Sequence, residues 1–241
     1  MNILGIDTAT SILTIALRVD GETVEQKVFR QTRNHDSLLT PTVRDLLTSR
    51  GLQVRDLDTV AISIGPGSFT GLRIGLSFVK GLVFGLDVKV VAVPTLEALA
   101  CAVRNERRAS LPFECAIVLP GRRGEVFWGK FKLSDNGVEQ VQKTELVPVQ
   151  DLASQLPETF VIAGEGASEL DNARRNYFTL YSIEASAAVV AELGEARARN
   201  GEYEDIASLE PFYGKEFLVK DAGGRLPKVL RDASSQLESK D

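Results

Sequence analysis

The chain has 241 residues, 44% hydrophobic and 25% charged, with a formal net charge of −5. This is the composition of a globular protein with enough apolar surface for a core. The acidic balance speaks against binding nucleic acid or anionic membrane through a broad electrostatic face, although it leaves local patches open. Two cysteines, Cys101 and Cys115, are too few and too far apart for a disulfide framework or a Cys-rich metal site, and read as small buried apolar residues.

The length admits one large domain or two modest ones. The first ten residues, MNILGIDTAT, lack the basic segment and long apolar run of a signal peptide. The longest near-apolar stretch, 74–86, is interrupted by Ser77 and Lys80 and falls short of the roughly 18 residues that a membrane helix requires. A soluble, cytoplasmic protein is expected.

In chain order, residues 3–6 are a short apolar strand entering Asp7. Residues 13–19 are a second strand, Asp20-Gly21 a hairpin turn, and residues 22–29 the returning third strand. Leu39, Val43, Leu46 and Leu47 then stand at i, i+4, i+7 and i+8, one face of a helix that Gly51 stops. Pro41 allows two starts: Thr40 caps a helix with Pro41 at its first position, or a longer helix from Ser37 bends there. Residues 59–64 read as a buried strand, followed by a glycine-rich segment and a helix running to Gly85. Residues 88–93 are a strand and 95–103 a helix capped by Thr95.

The order βββαβαβα then recurs. Strands are expected at 115–119, 125–133 and 138–147, a short helix at 152–156, a strand at 160–163, a helix at 167–176, a strand at 180–183 and a helix at 187–199. Two such units in tandem resemble the actin-like, sugar-kinase and heat-shock-ATPase superfamily. The fold class so implied is α/β, with two tandem ribonuclease-H-like lobes. The first lobe spans 1–105 and the second 106–215. A polar tail, 216–241, completes the chain.

Four segments are candidates for chemistry. In Gly5-Ile6-Asp7-Thr8-Ala9-Thr10-Ser11, a carboxylate at a strand end precedes hydroxyl residues in a turn, an arrangement suited to metal and phosphate. Asp7, Thr8 and Thr10 are therefore the nucleotide-contact candidates, or else satisfy backbone groups in the turn. Ala9 stands where the superfamily loop has glycine, and its Cβ restricts close approach.

The second segment is GPGSFTGLRIG, residues 65–75. It joins a strand to a helix, where N–H groups can hold an anion. However, its glycines miss the G-x-G-x-x-G spacing, no Gly-Lys-Ser/Thr follows, and Pro66 lacks an N–H. The alternative is a turn capped by Ser68 or Thr70. On the helix itself Gly71, Gly75, Phe78, Leu82 and Gly85 fall within about 40° of one line, opposite Arg73, Ser77 and Lys80. Glycine costs a helix roughly 1 kcal/mol against alanine, which close packing can offset, either inside the chain or against another subunit.

Third, His35 is the one histidine, so neither a His-x-x-x-His pair nor a multi-histidine metal site is possible, and no G-x-S-x-G elbow supports a triad. His35 reads as a surface or capping residue. Fourth, Arg122-Arg123 lie in a tight turn and could meet a phosphate or carboxylate, or form a solvated hairpin tip.

Three segments, ILGIDTAT (3–10), Asn34-His35-Asp36-Ser37-Leu38-Leu39 with Pro41, and residues 65–75 with Lys80-Gly81-Leu82, resemble the bacterial TsaB (YeaZ) family. The glycine-rich run is shared with the catalytic relative TsaD, whose histidine pair this chain lacks. The resemblance implies a non-catalytic scaffold and activator subunit in biosynthesis of threonylcarbamoyladenosine beside the tRNA anticodon. Its partners would be TsaD, the P-loop ATPase TsaE and, through the complex, tRNA. ATP would be used by the complex, with no cofactor or metal of the chain's own, and the chain could self-associate as a homodimer when TsaD is absent. The docking helices implied carry Leu39, Val43, Leu46 and Leu47, and Gly71, Leu72, Gly75, Phe78, Leu82 and Gly85. The second half departs from the family at Pro120-Gly121 and Gly214-Lys215. The competing reading is an ATP-using enzyme of the actin-like superfamily, such as a small-molecule kinase. A peptidase has neither a metal pair nor a supported triad.

Overall fold

The computed structural model describes residues 1–30, 35–157, 160–173, 178–181 and 183–214. The tail expected over 216–241, with Arg33, Asn34 and Lys215, lies outside the described residues. The first half opens as an antiparallel meander of β1 (Asn2–Asp7), β2 (Leu13–Val19) and β3 (Glu22–Phe29). Asp20 and Gly21 take φ of 49° and 86°, the positive pair that a two-residue hairpin turn demands. There follow α1 (His35–Thr48), β4 (Thr59–Gly65), α2 (Phe69–Val83), β5 (Lys89–Pro94) and α3 (Thr95–Glu106). The sheet order is β3-β2-β1-β4-β5, with β1, β4 and β5 parallel.

The second half repeats this with β6 (Phe113–Pro120), β7 (Glu125–Ser134), β8 (Gly137–Pro148), α4 (Val149–Gln155), β9 (Phe160–Ala163), α5 (Ala167–Ala173), β10 (Phe178–Tyr181) and α6 (Ala187–Arg199). Its sheet, β8-β7-β6-β9-β10, has the same order and pairing directions. The expected two-lobe α/β fold is therefore present, with the repeat written in topology.

Strand alternation separates three cores. Ile3 and Ala61 point into an apolar cluster between the sheets, while Leu4, Ile6, Val60 and Ile62 join α1 and α2 on the outer side of the first sheet. On β6, Cys115, Ile117 and Leu119 face the shared cluster, and Ala116 and Val118 face α4 and α5. Central strands covered on both faces must be apolar nearly throughout, which is why their sequence signal is strong.

The shared middle layer holds α3 and α6. Although α6 ends the second half, it lies across β1, β2 and β4 of the first sheet. Its Glu195, 5% exposed, holds Arg18 of β2 at 2.6 Å and Arg199 at 2.7 Å. A cut after residue 105 divides the sequence, but it separates α6 from the sheet it covers.

After α6 the chain runs back along the first lobe as an irregular strap. Glu204 N–H donates to Val90 O and Phe212 N–H to Ile64 O, while Ile206 and Leu209 pack on the outer core.

Of the two starts left open at Pro41, the structure takes the longer helix: α1 begins at His35, two residues before Ser37, and Pro41 lies inside it and forfeits one backbone hydrogen bond. Three local expectations need correction. Thr95 is the first residue of α3, and its hydroxyl accepts the Gly65 N–H at 3.1 Å instead of capping its own helix. Strand β10 lies two residues earlier than its pattern suggested, and α4 begins three residues earlier.

Candidate functional site

The two segments singled out on the first lobe converge. The β1–β2 turn carries Asp7, Thr8 and Thr10, which are 1%, 0% and 5% exposed. Its Ala9 carbonyl accepts the Ser68 N–H at 2.7 Å, tying the turn to the loop before α2. A Cβ at Gly71 would collide with the Thr8 carbonyl oxygen, and one at Gly75 with the Thr8 hydroxyl. The close approach these glycines permit is thus filled within the chain. Ser68 is the cap of α2, accepting the Gly71 N–H at 3.2 Å.

Packed this way, Asp7 and Thr8 face protein. Asp7 Oδ1 accepts the Ala9 N–H at 2.9 Å, but Oδ2 and the Thr8 hydroxyl have no hydrogen-bond partner. Burial pushes the Asp7 carboxyl up to about 6. The Ala9 N–H and the nearby Ser63 hydroxyl pull it back in part, although the hydroxyl does not reach hydrogen-bond geometry, and the Glu165 charge adds to the rise. Thr10 is spent locally: its hydroxyl donates to Ile12 O at 3.3 Å and accepts the Ile12 N–H at 3.2 Å. At the lobe junction the Ser11 hydroxyl donates to Glu165 at 2.8 Å, with the Ser11 N–H at 3.4 Å. A carboxylate of the second lobe thus sits on the turn where a phosphate was conceivable.

The residues named for partner docking divide. Leu39, Val43, Leu46 and Leu47 are at most 2% exposed, and Leu72 1%, all built into the lobe. Gly71 and Gly75 are buried on Thr8, Phe78 and Leu82 are half-buried against the outer core, and Gly85 is an exposed helix end with φ of 74°. The expectation that the glycine line marks the seat of a partner helix is corrected at Gly71 and Gly75, where the close approach is taken by Thr8 of the β1–β2 turn. Arg73 and Lys80, read as facing away from any partner, hold the strap. Arg73 lies 4.2 Å from the Phe69 ring and donates to the Tyr213 hydroxyl at 3.1 Å. Lys80 donates to Ala207 O at 3.1 Å.

What α2 leaves open lies about 100° round from the glycine line: Thr70, Ile74, Ser77, Gly81 and Phe84, within about 40° of a common direction. Gly81 has nothing within 4 Å of a built Cβ, Phe84 is 87% exposed, and Phe69 and Leu86 at the two ends are 44% and 40% exposed. Thr70, Ser77 and Gly81, with half-buried Ile74 among them and exposed Phe84 at one end, make a strip on which a helix can lie closely. Sequence reasoning missed it because Thr70 read as a candidate cap and Ser77 as part of the polar side shared with Arg73 and Lys80. Only the strap, an irregular segment without periodicity, shows which polar side is covered.

His35 also departs from expectation. It is 7% exposed at the start of α1, not a surface residue. Burial pushes its imidazole down, and a Ser11 backbone hydrogen bond and the Asp36 charge push it back up, with a net fall. Arg122 and Arg123 are exposed at a turn closed by Gly121 N–H to Glu125 O and Glu125 N–H to Arg122 O, the hairpin-tip alternative. Among the described residues no group of three or more His, Cys, Asp or Glu could hold a metal, and no helix is long and apolar enough to cross a membrane.

Comparison with known proteins gives three kinds of match. The family model described as TsaD, tRNA N6-adenosine threonylcarbamoyltransferase, matches residues 22–209. The tRNA threonylcarbamoyladenosine biosynthesis protein TsaB of Escherichia coli K12 is 34% identical over 170 residues, 69% of this chain and 72% of that protein. TsaB of Bacillus subtilis 168 is 29% identical over 239 residues, 98% and 96% of the two chains. Among solved structures, a Pseudomonas aeruginosa protein described as similar to peptidase YEAZ superposes with a TM-score of 0.77 at 27% identity, covering 89% of this chain and 99% of that one. YeaZ from the same organism gives 0.75 at 26%, covering 88% and 99%.

Proposed function

Since the chain belongs to the TsaB family and takes part in tRNA threonylcarbamoyladenosine biosynthesis, we propose that it acts there as a non-catalytic scaffold that docks TsaD through the open strip of α2. The observation that carries this reading is the strip itself. Gly81, flanked on this face by Thr70 and Ser77, leaves room for close helix approach, half-buried Ile74 adds apolar surface, and Phe84 supplies an exposed aromatic anchor beside them. Half-buried Leu38 and Pro41 of α1 add apolar surface from the neighbouring helix.

The non-catalytic part of the proposal rests on the β1–β2 turn. Its carboxylate and hydroxyls are packed under α2 or bonded locally, and Glu165 occupies the Ser11 donors. These features count against the ATP-using enzyme. In the proposed scheme ATP and TsaE enter through the complex, tRNA is reached with TsaD, and the complex works in the cytoplasm. When TsaD is absent, the same strip pairs two copies of the chain.

Reconstitution tests this: the chain, TsaD, TsaE, ATP, threonine, bicarbonate and tRNA, with each protein omitted in turn. Modified adenosine is expected to vanish without the chain and without TsaD. Gly81→Leu is expected to abolish co-purification with TsaD while the variant stays folded. Normal TsaD binding by that variant refutes the strip as the docking face, and submicromolar ATP binding by the isolated chain refutes the non-catalytic reading.

A further inference from the structure

Each half of the chain closes its repeat with a helix, and each of these helices reaches the other half's sheet. α3 of the first half packs on β6, β7 and β8, while α6 of the second packs on β1, β2 and β4. Polar anchors follow the same exchange. Arg104 of α3 donates to Ser134 O at 2.7 Å and to Asp135 O at 2.6 Å, at the β7–β8 hairpin. First-lobe side chains, rather than the formal cap residue Ser186, cap the start of α6: Thr14 Oγ1 accepts the Ala187 N–H at 2.8 Å, and Gln26 Oε1 the Ala188 N–H at 2.8 Å.

The apolar contacts agree. A Cβ at Gly5 would collide with the Ala187 carbonyl oxygen, and one at Gly194 with the Ala61 side chain, so α6 lies on the first sheet at backbone distance. Ile3 and Val91 of one sheet and Ile117 and Phe131 of the other belong to a single buried cluster. The strap joins the lobes a second time. Gly65 admits the Phe212 carbonyl, and Gly214 the ring of Phe127 on β7. Domains joined by a modest, polar interface move against each other by default, but here the interface is itself the core.

We infer that the exchanged helices α3 and α6, with the strap, lock the two lobes into one rigid, cooperative body, so that the second lobe stands at a fixed angle to α2. Hinge closure needs two self-contained bodies that turn on a few residues. Opening this junction would instead pull α3 and α6 from the sheets they cover and expose the shared cluster to water. It would also leave the Ala187 N–H, which is bonded in a buried position, without its acceptor. The lock is independent of what docks on α2.

Two measurements on the full-length chain test this. For rigidity, nitroxide labels are placed at Thr48→Cys on α1 and Gln155→Cys on α4, both exposed sites. The native thiols of Cys101 and Cys115 are pushed up to about 12, chiefly by burial, which disfavours their labelling. Double electron–electron resonance is expected to give one distance, no broader than that of a pair within the first lobe, Thr48→Cys with Glu22→Cys. Two distances, or a broader spread than in that pair, overturn the proposal. For cooperativity, Trp128 and His35 are the sole tryptophan and histidine, one in each lobe. During urea unfolding the Trp128 fluorescence and the His35 imidazole resonance are expected to share one midpoint. Leu46→Ala opens a cavity in the outer core of the first lobe and is expected to lower both midpoints together, by about 1 M urea. Should that variant not fold, Val43→Ala makes a smaller cavity in the same cluster and is expected to lower both midpoints equally. Separate midpoints in the wild type, or a Trp128 midpoint that stays in place while that of His35 falls, overturn the proposal.

Discussion

Replacing Asp7 by asparagine is expected to stabilise this protein at neutral pH, against the usual rule that polar core substitutions destabilise. The folded-state carboxyl titrates at about 6, against an ordinary value of 3.8, chiefly because it is buried. A raised carboxyl pKa means that folding favours the protonated form. The associated stability is fully present below pH 3.8 and is lost as the pH rises through 6. At 1.36 kcal/mol per unit, the burden on the wild type above pH 7 is about 3 kcal/mol. Asparagine has nearly the same shape, keeps an oxygen for the Ala9 N–H, and carries no charge to desolvate. Its amide can also donate toward the nearby unpartnered Ser63 hydroxyl. Urea denaturation of both proteins at pH 4, 6 and 8 isolates the term, because all other titrating groups are shared. The stability difference should be small at pH 4 and grow to about 3 kcal/mol in favour of the variant at pH 8. A variant that is less stable at pH 8, or a difference that does not change with pH, refutes the argument. In that case the carboxylate is compensated by a partner which the folded chain does not display.

The two classes of glycine on α2 should separate cleanly. Gly75→Leu must displace Thr8 and is expected to lower stability by at least the ~1–3 kcal/mol of core overpacking, whereas Gly81→Leu, with open space around it, should gain up to about 1 kcal/mol of helix propensity. Thermal denaturation of both variants checks this. Arg73→Ala removes the contacts to Phe69 and Tyr213 that hold the strap and should accelerate proteolytic cleavage within 203–214, and an unchanged digestion rate counts against that role. For Glu195, burial pushes the carboxyl up, but the Arg18 hydrogen bond and the Arg18 and Arg199 charges outweigh it and the net shift is down. Its contribution is therefore present above the ordinary carboxylate range and lost as the pH falls below it. Glu195→Ala should cost about 3–5 kcal/mol at pH 7 by leaving Arg18 without its partner, and markedly less at pH 3, as measured by urea denaturation.

The order of elements was legible in the sequence because both sheets are covered on two sides. Their central strands are continuous apolar runs, and the glycines, prolines and polar clusters between them punctuate the chain. The family was legible as well, carried by ILGIDTAT, the segment after Asn34 and the glycine-rich run, which are local patterns. The surroundings of those motifs were not legible. A wheel projection shows that Gly71 and Gly75 share a face, but not whether the backbone they admit is a partner's or that of Thr8. It sets Arg73 and Lys80 opposite that face without revealing the strap they hold, since the strap is irregular and returns from residues more than a hundred positions away. For Asp7 the sequence left ligand contact and a backbone-satisfying turn both open, and for His35 a surface or a capping role, because burial has no local signature. Such long-range contacts arise when the apolar faces of separate elements are buried together. Sequence alone thus determined which elements form and in what order, and the tertiary structure decided which faces remain open for function.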